Sequence, residues 1–134
     1  MLVNPVEDNW WEFLTLDTGS GVMAPRYLET GFLDPRGLET LKVFKPLTYE
    51  SVIEGRYRSI ERLREAVQLA VDAGDNRETQ KALGEAVTCD DFGVAAWFAL
   101  GLGADEYPFD ALRTNAALWQ RFIRLTVRQQ YARQ

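Results

Sequence analysis

"FGVAAWFALGLGA", residues 92–104, is apolar on every side. A run of this kind belongs either in a membrane or in the middle of a core. A membrane-spanning helix needs about 20 such residues, and Asp105 and Glu106 stop any extension here. The stretch is therefore expected as a buried central helix. Gly93, Gly101 and Gly103 let neighbouring helices approach closely or unwind its end.

On its amino-terminal side, "TCDD" at 88–91 is a start signal, with Thr88 as cap and Asp91 in the reciprocal position. "DNRE" at 75–78 is another. It predicts a helix over 76–87 capped by Asp75, with Glu78 reaching back. Val52, Ile53, Tyr57, Ile60, Leu63, Val67, Ala70 and Val71 keep one apolar stripe, which predicts a helix over 49–73 ended by Gly74. On the carboxy-terminal side, "EYPFD" at 106–110 leads into a last helix over 108–131.

The first third is punctuated by glycine and proline. "DPRG" at 34–37 predicts one short helix, capped by Asp34 with Pro35 in its first turn, through Leu38, Leu41, Val43 and Phe44. "NPVE" at 4–7 is a helix start, with Asn4 as cap and Pro5 at the first position. Val6, Trp10, Phe13 and Leu14 follow at helical spacing, which favours a short helix running into a loop. The competing reading is a hairpin, because "WEFLTL" and "VMAPRYL" flank the turn-forming "DTGSG". The expected fold is a mainly α, single-domain helical bundle around the apolar helix, with an irregular segment at 1–47, a possible short β-hairpin within it, and a helical core at 48–134.

At 134 residues, 46% of them hydrophobic, the chain can bury a core without staples. Its one cysteine, Cys89, cannot form an internal disulfide, so a reducing, cytoplasmic compartment is expected. No basic stretch followed by an apolar run opens the chain, so no signal peptide is expected. It contains no histidine. That removes Ser-His and Cys-His nucleophile pairs within one chain and the usual zinc ligand sets. Neither a cofactor nor a metal is expected. "DPRG" and "DAGDN" (72–76) lack the alternating oxygen ligands of a calcium loop. "GSG" and "GLG" are too short to cradle a phosphate. Asp90-Asp91 and Asp105-Glu106 flank the apolar helix, where polar boundary residues belong.

Asp17-Thr18-Gly19-Ser20 matches the active-site loop of aspartic proteases, in which two such loops share one proton between adjacent carboxylates. Asp17 is accordingly the candidate catalytic residue of a hydrolase reading. That family is almost wholly β, whereas everything after Thr48 reads as helix here, and "VIEG" and "FALG" fall inside helical periods. Asp and Ser initiate turns and Gly supplies positive φ, so a structural turn is the favoured reading.

Charge is unevenly spread. The net charge is −5, yet all 20 acidic residues lie at or before Asp110, and Arg113, Arg121, Arg124, Arg128 and Arg133 follow with no acid among them. At 100° per residue, the first four of these arginines fall within about 80° of one another, opposite Ala116, Trp119 and Ile123. An outward arginine ridge at Arg121, Arg124 and Arg128 is the expected partner surface. An acidic molecule is repelled by DNA overall, so nucleic acid is not the expected partner for that ridge. Trp10 and Trp11 are adjacent and cannot both point inward on a helix, so one of them is a second candidate contact, while Trp97 and Trp119 are expected in the core.

Residues 63–108, "LREAVQLAVDAGDNRETQKALGEAVTCDDFGVAAWFALGLGADEYP", resemble an uncharacterised bacterial family met beside type VI secretion genes. There too a small helical pair leads into an Ala/Trp-rich helix and a Gly-containing turn before prolines. The resemblance implies an accessory role at a secretion machine and carries over no catalytic residues. The chain lacks that family's Gly-Gly-Ser and proline-run features. The expected function is that of a non-catalytic protein-interaction protein (adaptor, chaperone-like or inhibitor) of bacterial or phage origin, binding another protein or itself. The alternatives are the Asp17 hydrolase and a nucleic-acid-associated protein using the carboxy-terminal arginines.

Overall fold

Leu14 and Leu16 are buried while Thr15 between them is half-buried, the two-residue alternation of a strand with one face on a core. In the computed structural model, which describes residues 10–43, 49–90, 93–103 and 105–132, they form β1 (Leu14–Leu16). It pairs antiparallel with β2 (Met23–Pro25), in the register Leu14 to Pro25 and Leu16 to Met23. A 3-10 turn, Trp10–Glu12, precedes β1. The favoured reading of a helix running through Phe13 and Leu14 is thus corrected to the hairpin. Phe13, Leu14 and Leu16 suit either period, but the glycine-rich turn between the flanking apolar runs brings them into register as strands. The start expected at Asn4–Glu7 lies outside the described residues.

Among the described residues six helices follow: α1 (Pro35–Val43), α2 (Glu50–Ala73), α3 (Arg77–Thr88), α4 (Val94–Ala99), α5 (Phe109–Thr114) and α6 (Ala116–Ala132). The protein is mainly α, with a short β-hairpin ahead of the helices. It divides into two compact units, Met1–Tyr57 and Arg58–Gln134, and the division falls within α2.

In the first unit α1 packs on β2. Its buried residues are Gly37 and Thr40 rather than the expected apolar set, and Leu38 and Val43 are exposed. Gly37 explains this. A Cβ there would sit 2.5 Å from the Phe13 carbonyl oxygen, so the helix approaches the hairpin along its smallest side chain. Phe44 lies outside the described residues.

In the second unit α3, α4 and α5 all pack on α6. Ile60, Leu63, Val67 and Ala70 of α2 are fully buried, as the stripe predicts, whereas Val52, Ile53 and Val71 are half-buried and Tyr57 is exposed; Gly74, at φ 82°, ends that helix. The cap of α3 is one residue later than expected. Asn76 accepts from the Thr79 N–H at 3.0 Å, and the Thr79 hydroxyl accepts from the Asn76 N–H at 3.0 Å. Both pairings fit the same four-residue pattern, and the tool of choice here is an amide with a hydroxyl instead of two carboxylates. Thr88 is the last residue of α3 rather than a cap. Asp90 takes that role, its carboxylate accepting from the N–H groups of Val94 at 3.2 Å and Ala95 at 2.8 Å. Asp91 lies outside the described residues.

The apolar stretch is buried from Val94 to Phe98, but α4 is only six residues long. Gly101 and Gly103, at φ 86° and 76°, unwind its end. The Phe98 ring stacks on Phe109 of α5 with centroids 3.8 Å apart. The last helix is broken at Asn115, whose φ/ψ of −95°/99° is extended, so the single helix expected over 108–131 is corrected to α5 and α6. The Asn115 side chain accepts from the Leu118 N–H at 3.3 Å, which starts the second helix.

Candidate functional site

The Asp17 carboxylate and the Ser20 hydroxyl are engaged in building a turn. One carboxylate oxygen of Asp17 accepts from the Gly19 N–H at 3.1 Å and the other from the Ser20 hydroxyl at 2.7 Å. The Asp17 carbonyl accepts from the N–H of Gly21 at 2.8 Å. These donors, Ser20 first, hold the Asp17 carboxyl below the ordinary value of 3.8. The loop's own donors thus stabilise the exposed Asp17 carboxylate in its charged form.

The far side of the loop is where the packing is tight. Gly21 has φ 80°, and a Cβ on it would lie 2.6 Å from the Ile53 carbonyl oxygen and 2.9 Å from the Tyr57 nitrogen. The same glycine's carbonyl accepts a 2.8 Å hydrogen bond from Nε of Arg56, a residue only 1% exposed. Burial lowers the pKa of that guanidinium from its ordinary value. Sequence reasoning missed Arg56, because a charged residue one place before an apolar position reads as solvated. The signal that could have found it is the glycine-rich turn, whose outward carbonyls need a donor.

Asp34 is 1% exposed and caps α1 as expected. It accepts from the Arg36 N–H at 2.9 Å and from its guanidinium at 3.2 and 3.0 Å. The Arg36 side chain, chiefly, holds the Asp34 carboxyl below its ordinary value, and the pair raises Arg36 in turn. The guanidinium also lies 4.3 Å from the centre of the Phe13 ring. Glu12, Arg26, Tyr27, Leu28, Glu29, Asp34 and Arg36 line a shallow cavity of about 220 Å³. That is below the usual range of roughly 300–1,000 Å³ for small-molecule pockets.

The arginine ridge is only partly as expected. Among the described side chains of α6, Leu118, Phe122 and Thr126 are buried, while Trp119 and Ile123 are half-buried and Ala116 is exposed. The wheel centres the buried face on Ala116, Trp119 and Ile123, whereas the buried stripe runs beside them through Leu118, Phe122 and Thr126 at four-residue spacing. Arg121 is half-buried, with Nε 3.2 Å from an Asp75 carboxylate oxygen. Asp75, held below its ordinary value by Gln80 first and Arg121 second, thereby ties α6 to the start of α3. Arg113 lies 5.9 Å from the Trp119 ring centre. Arg124 and Arg128 are exposed one turn apart, with Val127 between them 47% exposed. Arg133 lies outside the described residues.

Of the paired tryptophans, Trp10 is buried at 4% exposure and Trp11 is half-buried, meeting it edge-on at 5.7 Å. Trp11 is the one that reaches solvent. Among the described residues no group of three or more His, Cys, Asp or Glu side chains is arranged to hold a metal ion, and no helix is long and apolar enough to cross a membrane.

Lowered carboxyl values give a direction for acid stability. Asp17, Asp34 and Asp75 each favour the charged form when folded. Their contribution is present above the ordinary carboxyl value and is lost as pH falls through the folded one. Thermal melts are expected to be flat from about pH 7 to 5 and to drop below about pH 4. Asp17→Asn is expected to flatten part of that drop and to leave biological activity unchanged. Cleavage of unfolded casein at roughly pH 4–7 that is lost in this variant would reinstate the hydrolase reading.

No family model, no curated protein and no solved structure matches the chain.

Proposed function

We propose that this is a non-catalytic interaction protein, an adaptor, chaperone-like or inhibitor protein of bacterial or phage origin that works in the cytoplasm. The observation that supports it most directly is the exposed Arg124–Val127–Arg128 strip on α6. Two outward guanidinium groups beside an aliphatic side chain suit an acidic protein surface with an apolar centre, and arginine is enriched at such contacts. The carboxylates of Asp17, Asp34, Asp75 and Asp90 are by contrast engaged in turns, caps and an ion pair. The resemblance of residues 63–108 to the family found beside type VI secretion genes fits an accessory role of this kind.

Changing Arg124 and Arg128 together to Ser is expected to leave the melting temperature within a few degrees, because exposed charges contribute little to stability. Affinity capture from the native host with wild type and variant side by side is expected to lose one specific partner in the variant. Identical capture by both proteins would remove α6 from the interface. Salt-sensitive binding of wild type to DNA or RNA, with a slope of several released ions, would replace this reading with the nucleic-acid one.

A further inference from the structure

The shallow cavity of the first unit gathers more charge than its internal pairing uses. Backbone hydrogen bonds assemble it. The Arg26 N–H donates to the Phe13 carbonyl at 2.8 Å, and the Asp34 N–H donates to the Arg26 carbonyl at 2.6 Å. Tyr27 and Leu33 form an antiparallel bridge one position on. This register sets Arg26 directly opposite Asp34, and such pairs carry their side chains on one face. Leu28, two positions along from Arg26, shares that face. Arg36 spends its Nε hydrogen and one Nη2 hydrogen on Asp34 while lying over the Phe13 ring, and its side chain remains 53% exposed. Its Nη1 hydrogens take no part in that pair.

Glu12, Arg26 and Glu29 line the same cavity, are exposed, and make no ion pair among the described residues. Arg36, raised chiefly by Asp34, also feels the charge of Glu12. A ligand therefore meets one unpaired guanidinium, the open edge of a second, two unpaired carboxylates and the aliphatic side chain of Leu28. A simple anion would match Arg26 and oppose Glu12 and Glu29, and a simple cation would do the reverse. A small molecule carrying both charges matches all three. The volume of about 220 Å³ suits one of amino-acid size. We propose that this cavity binds an α-amino acid with an aliphatic side chain, held as its zwitterion. Its carboxylate lies on Arg26 and the open edge of Arg36, since the planar guanidinium fork matches a carboxylate in two parallel bonds. Its ammonium lies on Glu12 and Glu29, and its side chain on Leu28. Solvent screens charges this exposed, so Kd is on the order of 1 mM. The α6 strip belongs to the other unit, and its role as a protein contact stands or falls separately.

Titration of the isotope-labelled full chain with L-leucine, followed by amide chemical shifts over about 0.1–20 mM, brackets that affinity. Saturating shifts are expected at residues 26–29 and at Asp34 and Arg36. Leucinamide lacks the carboxylate and N-acetylleucine lacks the ammonium. Each is expected to bind at least about tenfold more weakly than leucine, because one charge-assisted contact is gone. Arg26→Gln, and separately Glu12→Gln with Glu29→Gln, are each expected to raise Kd for leucine at least about fivefold. Their melts should be unchanged, because all three side chains are exposed. The absence of saturating shifts with leucine, or a Kd indifferent to either set of substitutions, would overturn the proposal. Equal binding of N-acetylleucine would reduce the cavity to a carboxylate site, and equal binding of leucinamide to a cation site. Either result would overturn it as well.

Discussion

Trp97→Ala is expected to cost about 3–5 kcal/mol, the range for removing a large aromatic side chain from a core. Trp97 is 7% exposed and sits in the middle of α4, where both neighbours, Ala96 and Phe98, are also buried. Its indole lies beneath the turn that ends the helix, with Nε1 3.0 Å from where a Cβ on Gly103 would stand. The Trp97 carbonyl also accepts from the Leu102 N–H at 3.2 Å, so the residue anchors that turn through ring and backbone together. Truncation leaves a cavity that a six-residue helix cannot collapse around without giving up the turn. For a chain of this size, with a total stability of about 5–15 kcal/mol, the melting temperature should fall by about 10–20 °C. Trp97→Phe, which keeps most of the apolar volume, should lose about half as much. A melting temperature unmoved by Trp97→Ala would place the ring outside the core.

Gly21→Ala is expected to cost about 2–5 kcal/mol, from two causes that can be separated. A positive φ costs a residue with a Cβ about 1–2 kcal/mol, and forcing a methyl into packed backbone adds about 1–3 kcal/mol. At Gly21 both apply, because the nearest atoms are the Ile53 carbonyl and the Tyr57 nitrogen, which cannot rotate aside. Gly74 has almost the same φ, 82°, with nothing within 4 Å. Gly74→Ala therefore reports the backbone cause alone, at about 1–2 kcal/mol. Urea melts of both variants give the difference. Equal losses would mean that the loop does not press on α2 as closely as the structure places it.

The elements that were legible in the sequence are those whose pattern is local and long. The α2 stripe, the stop at Gly74, the cap at Asp34 and the burial of residues 94–98 follow from spacing and residue type within one turn or two. The elements that were not legible turn on competition between near-equal local choices. Phe13, Leu14 and Leu16 fit two periods, and pairing with Met23–Pro25 decides between them. Asp75 and Asn76 can each cap α3, and Asp75 is drawn instead to Gln80 and Arg121. Asn115 carries no helix-breaking signature as strong as proline, so its interruption of the last helix, which sets Arg113 apart from the other arginines, was hidden. On the candidate site, the turn role of Asp17 was legible from composition. The exposure of Tyr27 and Phe32 was not, because it depends on what fails to cover them.

Arg56 and Gly21 stand 35 positions apart, and the hydrogen bond between them has a consequence for the order of assembly. Contacts distant in sequence are made late, since the intervening chain must first give up its freedom. The helix that supplies Arg56 forms from neighbours three and four residues away, on a far shorter timescale. During synthesis the hairpin residues emerge first, yet their turn has no seat until the opening turns of α2 arrive behind them. Of the two segments, the one made earlier is thus expected to reach its native state after the later one.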